Sequence, residues 1–428
     1  MSGTECPTHD PANALNPTFT FMKNLIVLLL TLTLSACATL EKPPAVPIPA
    51  PAAPPQAALA APPLQPVGWE AVSGWPDEDM SAAWDGFIRG CNALRSQPAW
   101  QAACAASAAV PASNGAAQRE FFEQHFTPYQ AANPDGTADG LITGYYEPLL
   151  HGSRTPSKRF RYPLYGVPDD LLTVDLSSAY PELKNLRLRG RIEGRRVVPY
   201  YNRADIDNGA APLKGKELYW VDDAVELFFL QIQGSGKIAL PGGETVHVGY
   251  ADQNGLPYRS IGKALVDRGE LPLEKASMQG IKDWGKRNPA KLPELLDLNA
   301  SYVFFRDLPN DLAGPLGALG VPLTAERSIA VDSRYIPLGA PVFLATTWPN
   351  STKPLSRLML AQDTGGAIRG PVRADFFWGF GQEAGKQAGS MKQSGKMWVL
   401  LPKGYNYTPP QIAPARANQG AGCSCNGG

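Results

Sequence analysis

The spacing of apolar residues divides the chain into a short helical part and a long strand-rich part. Between Asp77 and Ser96, the residues Trp84, Phe87, Cys91 and Leu94 recur at i, i+3, i+7 and i+10, one face of a helix. Gln118 to Phe126 predicts a second, short helix. From Leu141 onward the apolar runs are brief and split by Gly and Pro: LITGYYEPLL, RVVPYY, VELFFLQIQ, SYVFF, SIAVD, PVFLAT, RLMLAQD and MWVLL. Rich in Val, Ile, Phe and Tyr, they predict strands. Helical spacing returns at Tyr258 to Arg268, Met278 to Arg287 and Gln382 to Ala388. Many short strands, few helices and no regular βαβ alternation favour barrels over a doubly wound sheet.

The two ends follow other rules. Leu25 to Leu34 is a run of ten residues dominated by Leu, far short of the roughly 20 that a spanning helix needs. Leu34-Ser35-Ala36-Cys37 follows, and the whole resembles the signal and lipobox of a bacterial lipoprotein, whose cysteine becomes the acylated N-terminus. Met22-Lys23-Asn24 makes the better signal start. Ala38 stands where an Asp would retain such a lipoprotein in the inner membrane, so the expected location is the periplasmic face of the outer membrane, anchored through Cys37. Ten of the 24 residues from Pro43 to Pro66 are proline, which predicts an extended tether over 38–76. Residues 409–428, low in bulky side chains, predict a disordered tail.

Composition narrows the chemistry. The chain has 428 residues, with 39 Lys+Arg against 39 Asp+Glu, so it lacks the basic surplus of a nucleic-acid binder. Glycine and proline, at 42 each, suit strands joined by turns. Cys91 and Cys104, in a predicted helical hairpin, are either disulfide partners in an oxidising periplasm or two buried thiols. Cys423 and Cys425 lie in the tail. No Cys-x-x-Cys and no His pair at metal spacing occurs, so neither a metal nor another cofactor is expected.

With only 4 His and no Gly-x-Ser-x-Gly elbow, carboxylates lead the candidates for catalysis. Asp363 ends one apolar strand, a Gly-rich turn follows, and Asp375 opens the next; such a turn would bring both into one cleft. Asp332 also ends an apolar run. Asp before Gly more often caps a turn than reacts. Asp375 stands out because Ala374, Phe376, Phe377 and Trp378 surround it with apolar groups, and desolvation raises a carboxyl pKa as a general acid requires.

Several segments, taken in order, are more specific. Thr143 to Pro148, Pro199 to Arg203, Leu230 to Gly236, Val248 to Asp252, Ser301 to Arg306, Asp332 to Gly339 and Asp363 to Gly379 resemble the MltA family of membrane-bound lytic murein transglycosylases. The match spans about Trp84 to Leu401. The resemblance implies a mainly β fold: a double-psi β-barrel over 77–159 and 300–408, interrupted by a smaller β-barrel over 160–299. It implies a peptidoglycan lytic exotransglycosylase, a lyase whose partners are the glycan strand, the outer membrane and other cell-wall enzymes. The family's catalytic Asp maps onto Asp375, and Asp363 onto a supporting position. Gln233, Ser235, Tyr145 and Tyr146 have the amides, hydroxyls and aromatic faces that suit a sugar chain. For the two tyrosines a core role competes. Asp332 has the weakest case, a turn-holding role being the stronger.

Two other readings of the same residues stay open. An inverting endoglycosidase would use Asp375 as acid and Asp363 as base. An expansin-like lipoprotein would bind peptidoglycan without cutting it.

Overall fold

The computed structural model describes residues 62–410, apart from 184, 185 and 187. The expected signal and lipobox with Cys37, most of the tether, and the tail with Cys423 and Cys425 lie outside the described residues.

The tether ends earlier than expected. β1 (Leu64–Pro66) pairs antiparallel with β2 (Phe126–Ala131), and both Leu64 and Trp75 are buried, so residues from 64 to 76 are folded structure. Prolines flank Leu64 on both sides, yet a run that offers apolar side chains to a core gains more by packing than by remaining free of it, and an edge strand tolerates Pro66. Three helices follow: α1 (Ser81–Leu94), α2 (Pro98–Ser107) and α3 (Gly115–His125). All four residues of the predicted stripe on α1 are buried, and Asn114 caps α3 by accepting from the Ala117 N–H at 3.0 Å. Cys91 and Cys104 form a disulfide that ties α1 to α2.

β3 (Gly140–Glu147) belongs to the first barrel and leads through Pro148 into a second sheet. β4 (Leu149–Ser153) and β5 (Tyr162–Tyr165) open it, and a separate meander of β6 (Leu172–Thr173), β7 (Arg189–Glu193) and β8 (Arg196–Pro199) intervenes. β9 (Glu217–Val221), β10 (Ser235–Ala239), β11 (Thr245–Gln253) and β12 (Val303–Leu308) complete the order β12-β11-β10-β4-β9-β5. A parallel bridge between Gly166 and Phe305 brings the two edges together. This sheet reaches from Leu149 to Leu308, wider at both ends than the 160–299 drawn from sequence. One proline is all that separates β3 from β4, so the passage from one barrel to the next carries no linker signal.

Among the described residues of this insert the α-helices are α4 (Arg203–Asp207), α5 (Ala224–Gln233), α6 (Ile261–Asp267), α7 (Met278–Arg287) and α8 (Leu292–Asp297). α6 and α7 fall where helical spacing placed them. α5 does not: the run VELFFLQIQ, expected to be a strand, is helical. Asp223 caps it, accepting from the N–H groups of Val225 and Glu226, and Gly234, at φ 82°, ends it in the left-handed conformation. The helix is buried on most of its circumference, so its apolar residues show no stripe, and only the capping Asp and terminal Gly mark it from sequence.

The chain then returns to the first barrel through β13 (Ser328–Val331), β14 (Pro341–Thr347), β15 (Pro354–Asp363), β16 (Arg373–Phe380), α9 (Gly381–Ser390) and β17 (Lys392–Pro402). The strands close in the ring β3-β17-β14-β15-β13-β16, with parallel pairing for β13 with β15 and for β16 with β3. This mainly β architecture, a closed six-stranded barrel holding a smaller inserted one, matches the expected fold class. Aromatic residues of the helices, Trp84, Phe87, Phe121 and Phe122, continue the barrel core outward. α1 lies so close to β15 that a Cβ on Gly86 would fall 2.5 Å from Leu360 Cδ1, and Gln362 donates to the Gly86 carbonyl.

The disulfide closes a short loop, 13 residues in separation. Replacing both Cys91 and Cys104 by Ala should cost about 3 kcal/mol of unfolding free energy by restoring unfolded-chain entropy. Urea denaturation measures this, and an unchanged midpoint would refute it.

Candidate active site

Two of the candidate carboxylates meet across β13 of the first barrel. β13 pairs with β15 on one side and β16 on the other, and the same residue, Ala330, stands opposite both Asp363 and Asp375. The two aspartates are therefore brought together across an intervening strand, not by a hairpin as the sequence suggested. Ala330 is small and buried, and with Tyr145, Leu323, Ile368 and Phe377 it forms an apolar cluster beside them.

β3 supplies the groups that hold both acids. It runs parallel to β16 with Thr143 opposite Asp375 and Tyr145 opposite Phe377. The Thr143 hydroxyl donates to Asp375 Oδ1 at 2.5 Å, and Arg373 Nη2 donates in turn to Thr143 Oγ1 at 2.9 Å. Among the described residues Thr143 is the one hydrogen-bond partner of Asp375, so its second oxygen receives none. Asp363 is more fully engaged. Its Oδ1 accepts from the Ala318 and Thr364 N–H groups at 3.0 and 2.9 Å, and its Oδ2 accepts from the Tyr145 hydroxyl at 3.1 Å. The Tyr145 ring packs against Phe377 with centroids 5.2 Å apart.

These surroundings shift both acids the same way. Each keeps some surface at the mouth of the site, yet protein encloses the carboxyls closely enough that desolvation dominates. Burial pushes Asp363 up to about 6, against its three hydrogen-bond donors and with help from the charge of Asp375. Burial also raises Asp375, opposed by the Thr143 hydrogen bond and the Arg373 charge. Tyr145 is held well above the usual phenol range by burial first and by the two aspartates next, so it remains a donor.

The other predicted residues divide. Asp332, just past β13, is 2% exposed and bound by Arg334, with a further hydrogen bond from the Gly370 N–H at 2.9 Å. Its pKa is lowered, with the Arg334 and Gly370 hydrogen bonds overcoming burial. That is the turn-holding role. Gln233, at the end of α5, accepts from the Tyr146 N–H at 3.0 Å, fastening the insert to β3. Tyr146 turns away from Tyr145, its hydroxyl reaching Met278 Sδ at 3.9 Å and its ring packing over Gly385. Ser235 opens β10, half-buried, opposite Gly249. Thr143 and Arg373 were missed by sequence reasoning because they lie 230 residues apart and only the β3–β16 pairing joins them. Among the described residues no group of three or more His, Cys, Asp or Glu is placed to hold a metal ion.

A raised folded-state pKa has a definite sign in stability. Between 3.8 and about 6 the folded Asp363 keeps a proton that the unfolded chain has lost, so its contribution is full below 3.8 and fades as pH rises through 6. Asp363→Asn removes the cost of a buried charge and should stabilise the protein at neutral pH by up to about 3 kcal/mol, the gain vanishing in acid. Urea unfolding across pH tests this; equal destabilisation at every pH would contradict it.

Comparison with known proteins agrees with this architecture. Residues 141–306 match the MltA specific insert domain and residues 327–401 the 3D domain. The chain is 34% identical over 279 residues to membrane-bound lytic murein transglycosylase A of Escherichia coli strain K12, covering 64% of this chain and 68% of that protein. The crystal structure of MltA from Neisseria gonorrhoeae in its monoclinic form superimposes with a TM-score of 0.70 at 42% identity, covering 81% of this chain and 94% of that one. The structure of E. coli MltA with bound chitohexaose is similar with a TM-score of 0.59 at 30% identity, over 79% of this chain and 94% of that one. Two family domains in order, a relative matched over two thirds of its length and the shared fold establish that this chain belongs to the MltA family.

Proposed function

We propose that the protein is a lytic transglycosylase that cleaves the β-1,4 bond between N-acetylmuramic acid and N-acetylglucosamine in peptidoglycan, with Asp375 as the sole acid and base. The observation that carries this reading is the asymmetry of Asp375: one oxygen is held by Thr143, the other accepts no hydrogen bond among the described residues, and burial favours the protonated form. A carboxyl of that kind can hand its proton to a glycosidic oxygen. The carboxylate left behind then takes the proton of the muramic acid C6 hydroxyl as that oxygen bonds to C1. The product is a 1,6-anhydro ring, and no water is consumed. Because the attacking hydroxyl is tethered to the reacting sugar, proximity replaces the second carboxylate of an ordinary glycosidase.

Asp363 and Tyr145 orient the site. With three donors already on its carboxylate, Asp363 is poorly placed to hold a water as base, which weighs against the inverting endoglycosidase. The chitohexaose bound by the E. coli relative supports a glycan strand as ligand. The relatives' designation as membrane-bound supports membrane association here, and with the lipobox we assign the chain to the periplasmic face of the outer membrane, anchored through Cys37.

Asp375→Asn should lower clearance of cell-wall sacculi by at least about a hundredfold, the usual scale for a lost general acid, while sedimentation with sacculi is retained. Retained clearance would refute Asp375 as the acid, and binding without clearance by the wild type would leave only the peptidoglycan-binding lipoprotein. Separately, mass spectrometry of the wild-type digest should find 1,6-anhydromuramic ends; ends heavier by one water would favour hydrolysis instead.

A further inference from the structure

The meander β6-β7-β8 has two unlike faces. On the face turned to the insert, Arg189 pairs with Asp252 at 2.9 Å, and Arg191 stacks on Tyr201 with its guanidinium 4.1 Å from the ring centroid. The opposite face carries no charge. Ile192 stands directly across from Val197, and Gly190 lies between Leu172 and Pro199 in the next row. Val197 leans over Gly190, so the rows are continuous: a Cβ there would come 2.9 Å from Val197 Cγ1. Ile192 is 65% exposed and Val197 59%. Two β-branched side chains are thus held at the tip of a hairpin with nothing over them among the described residues.

The end of the hairpin carries two arginines. Arg195, in the turn, is exposed and has no ion pair among the described residues; Arg196, paired across the strands with Glu193 on the side of Arg191, has a side chain 77% exposed at the hairpin end and 3.5 Å from Glu193. From Leu172 to Tyr201 the sequence holds six Lys or Arg against three Asp or Glu, in a chain whose formal charge is zero. An apolar face that ends at two exposed arginines has the chemistry to meet an anionic lipid surface: the guanidinium groups reach headgroup phosphates while Ile and Val enter the boundary with the acyl chains.

We propose that the β7–β8 hairpin docks on an anionic phospholipid leaflet through Ile192, Val197, Arg195 and Arg196, holding the catalytic body against the membrane in addition to the lipid anchor. This rests on the membrane association proposed above. An anchor at the end of an extended tether sets only a maximum distance and leaves orientation free, whereas a second contact on the folded body restricts both.

Hydrogen–deuterium exchange of the full lipidated chain on vesicles tests the inference. On phosphatidylglycerol-rich vesicles the amides of 190–198 should exchange at least about tenfold more slowly than on phosphatidylcholine vesicles. Arg195→Glu with Arg196→Glu should abolish the difference, since two arginines near such a surface are worth about 30-fold in the docking equilibrium. Ile192→Ser with Val197→Ser should also abolish it, and both variants should clear sacculi at the wild-type rate. Flotation of the chain with the vesicles is measured first: failure to float overturns the membrane reading itself, whereas flotation without slowed exchange overturns only the docking. Equal protection on both lipids, protection without vesicles that grows with protein concentration, or slower clearance by the variants would each overturn it, pointing respectively to non-electrostatic adsorption, self-association or a wall contact.

Discussion

Placing two carboxylates against one buried alanine is costly, and the design of the first barrel follows from meeting that cost. Ala330 on β13 faces Asp363 on one side and Asp375 on the other, in surroundings that push both toward protonation. A carboxyl taken out of water must gain hydrogen bonds or keep its proton. The two acids divide these solutions, Asp363 collecting three donors and Asp375 one. That difference separates a fixed, orienting acid from one with an oxygen to spare.

Closure of the barrel makes the arrangement possible. Because β16 pairs in parallel with β3, the strand that supplies Thr143 and Tyr145 lies beside the strand that supplies Asp375. The same β3 runs directly into the insert, so the residues after Tyr145 serve the junction. The Tyr146 N–H is taken by Gln233, and Glu147 forms a buried pair with His247 on β11. The strand that carries donors to both aspartates is therefore also the strand fastened to the insert. Breaking a buried pair such as Glu147 with His247 leaves an uncompensated polar group, so this junction favours one relative setting of the two barrels.

Errors of sequence reading had physical causes. Periodicity located α1, α6, α7 and α9, since each buries one face only. It failed at α5, which is enclosed on most sides and so presents a continuous apolar run like that of a buried strand. The boundary at 160 failed because β3 and β4 are separated by Pro148 alone. Proline density suggested a tether up to 76, but Leu64 and Trp75 have a core to enter. Asp332 resembled the other two acids in sequence because each ends or opens an apolar strand; its neighbour Arg334 neutralises it.

The sequence by itself determined the class of fold, the order of family motifs, the scarcity of histidine that leaves chemistry to carboxylates, and Asp375 as the aspartate with the most apolar neighbours. These are local properties, encoded in composition and short-range spacing. Only the tertiary structure decided that Cys91 bonds to Cys104, that Asp363 and Asp375 meet across β13, and that Thr143 and Arg373 attend an acid more than two hundred residues from Thr143. Strand register and ring closure produce those contacts, and they depend on long-range pairing that no local pattern in the chain records.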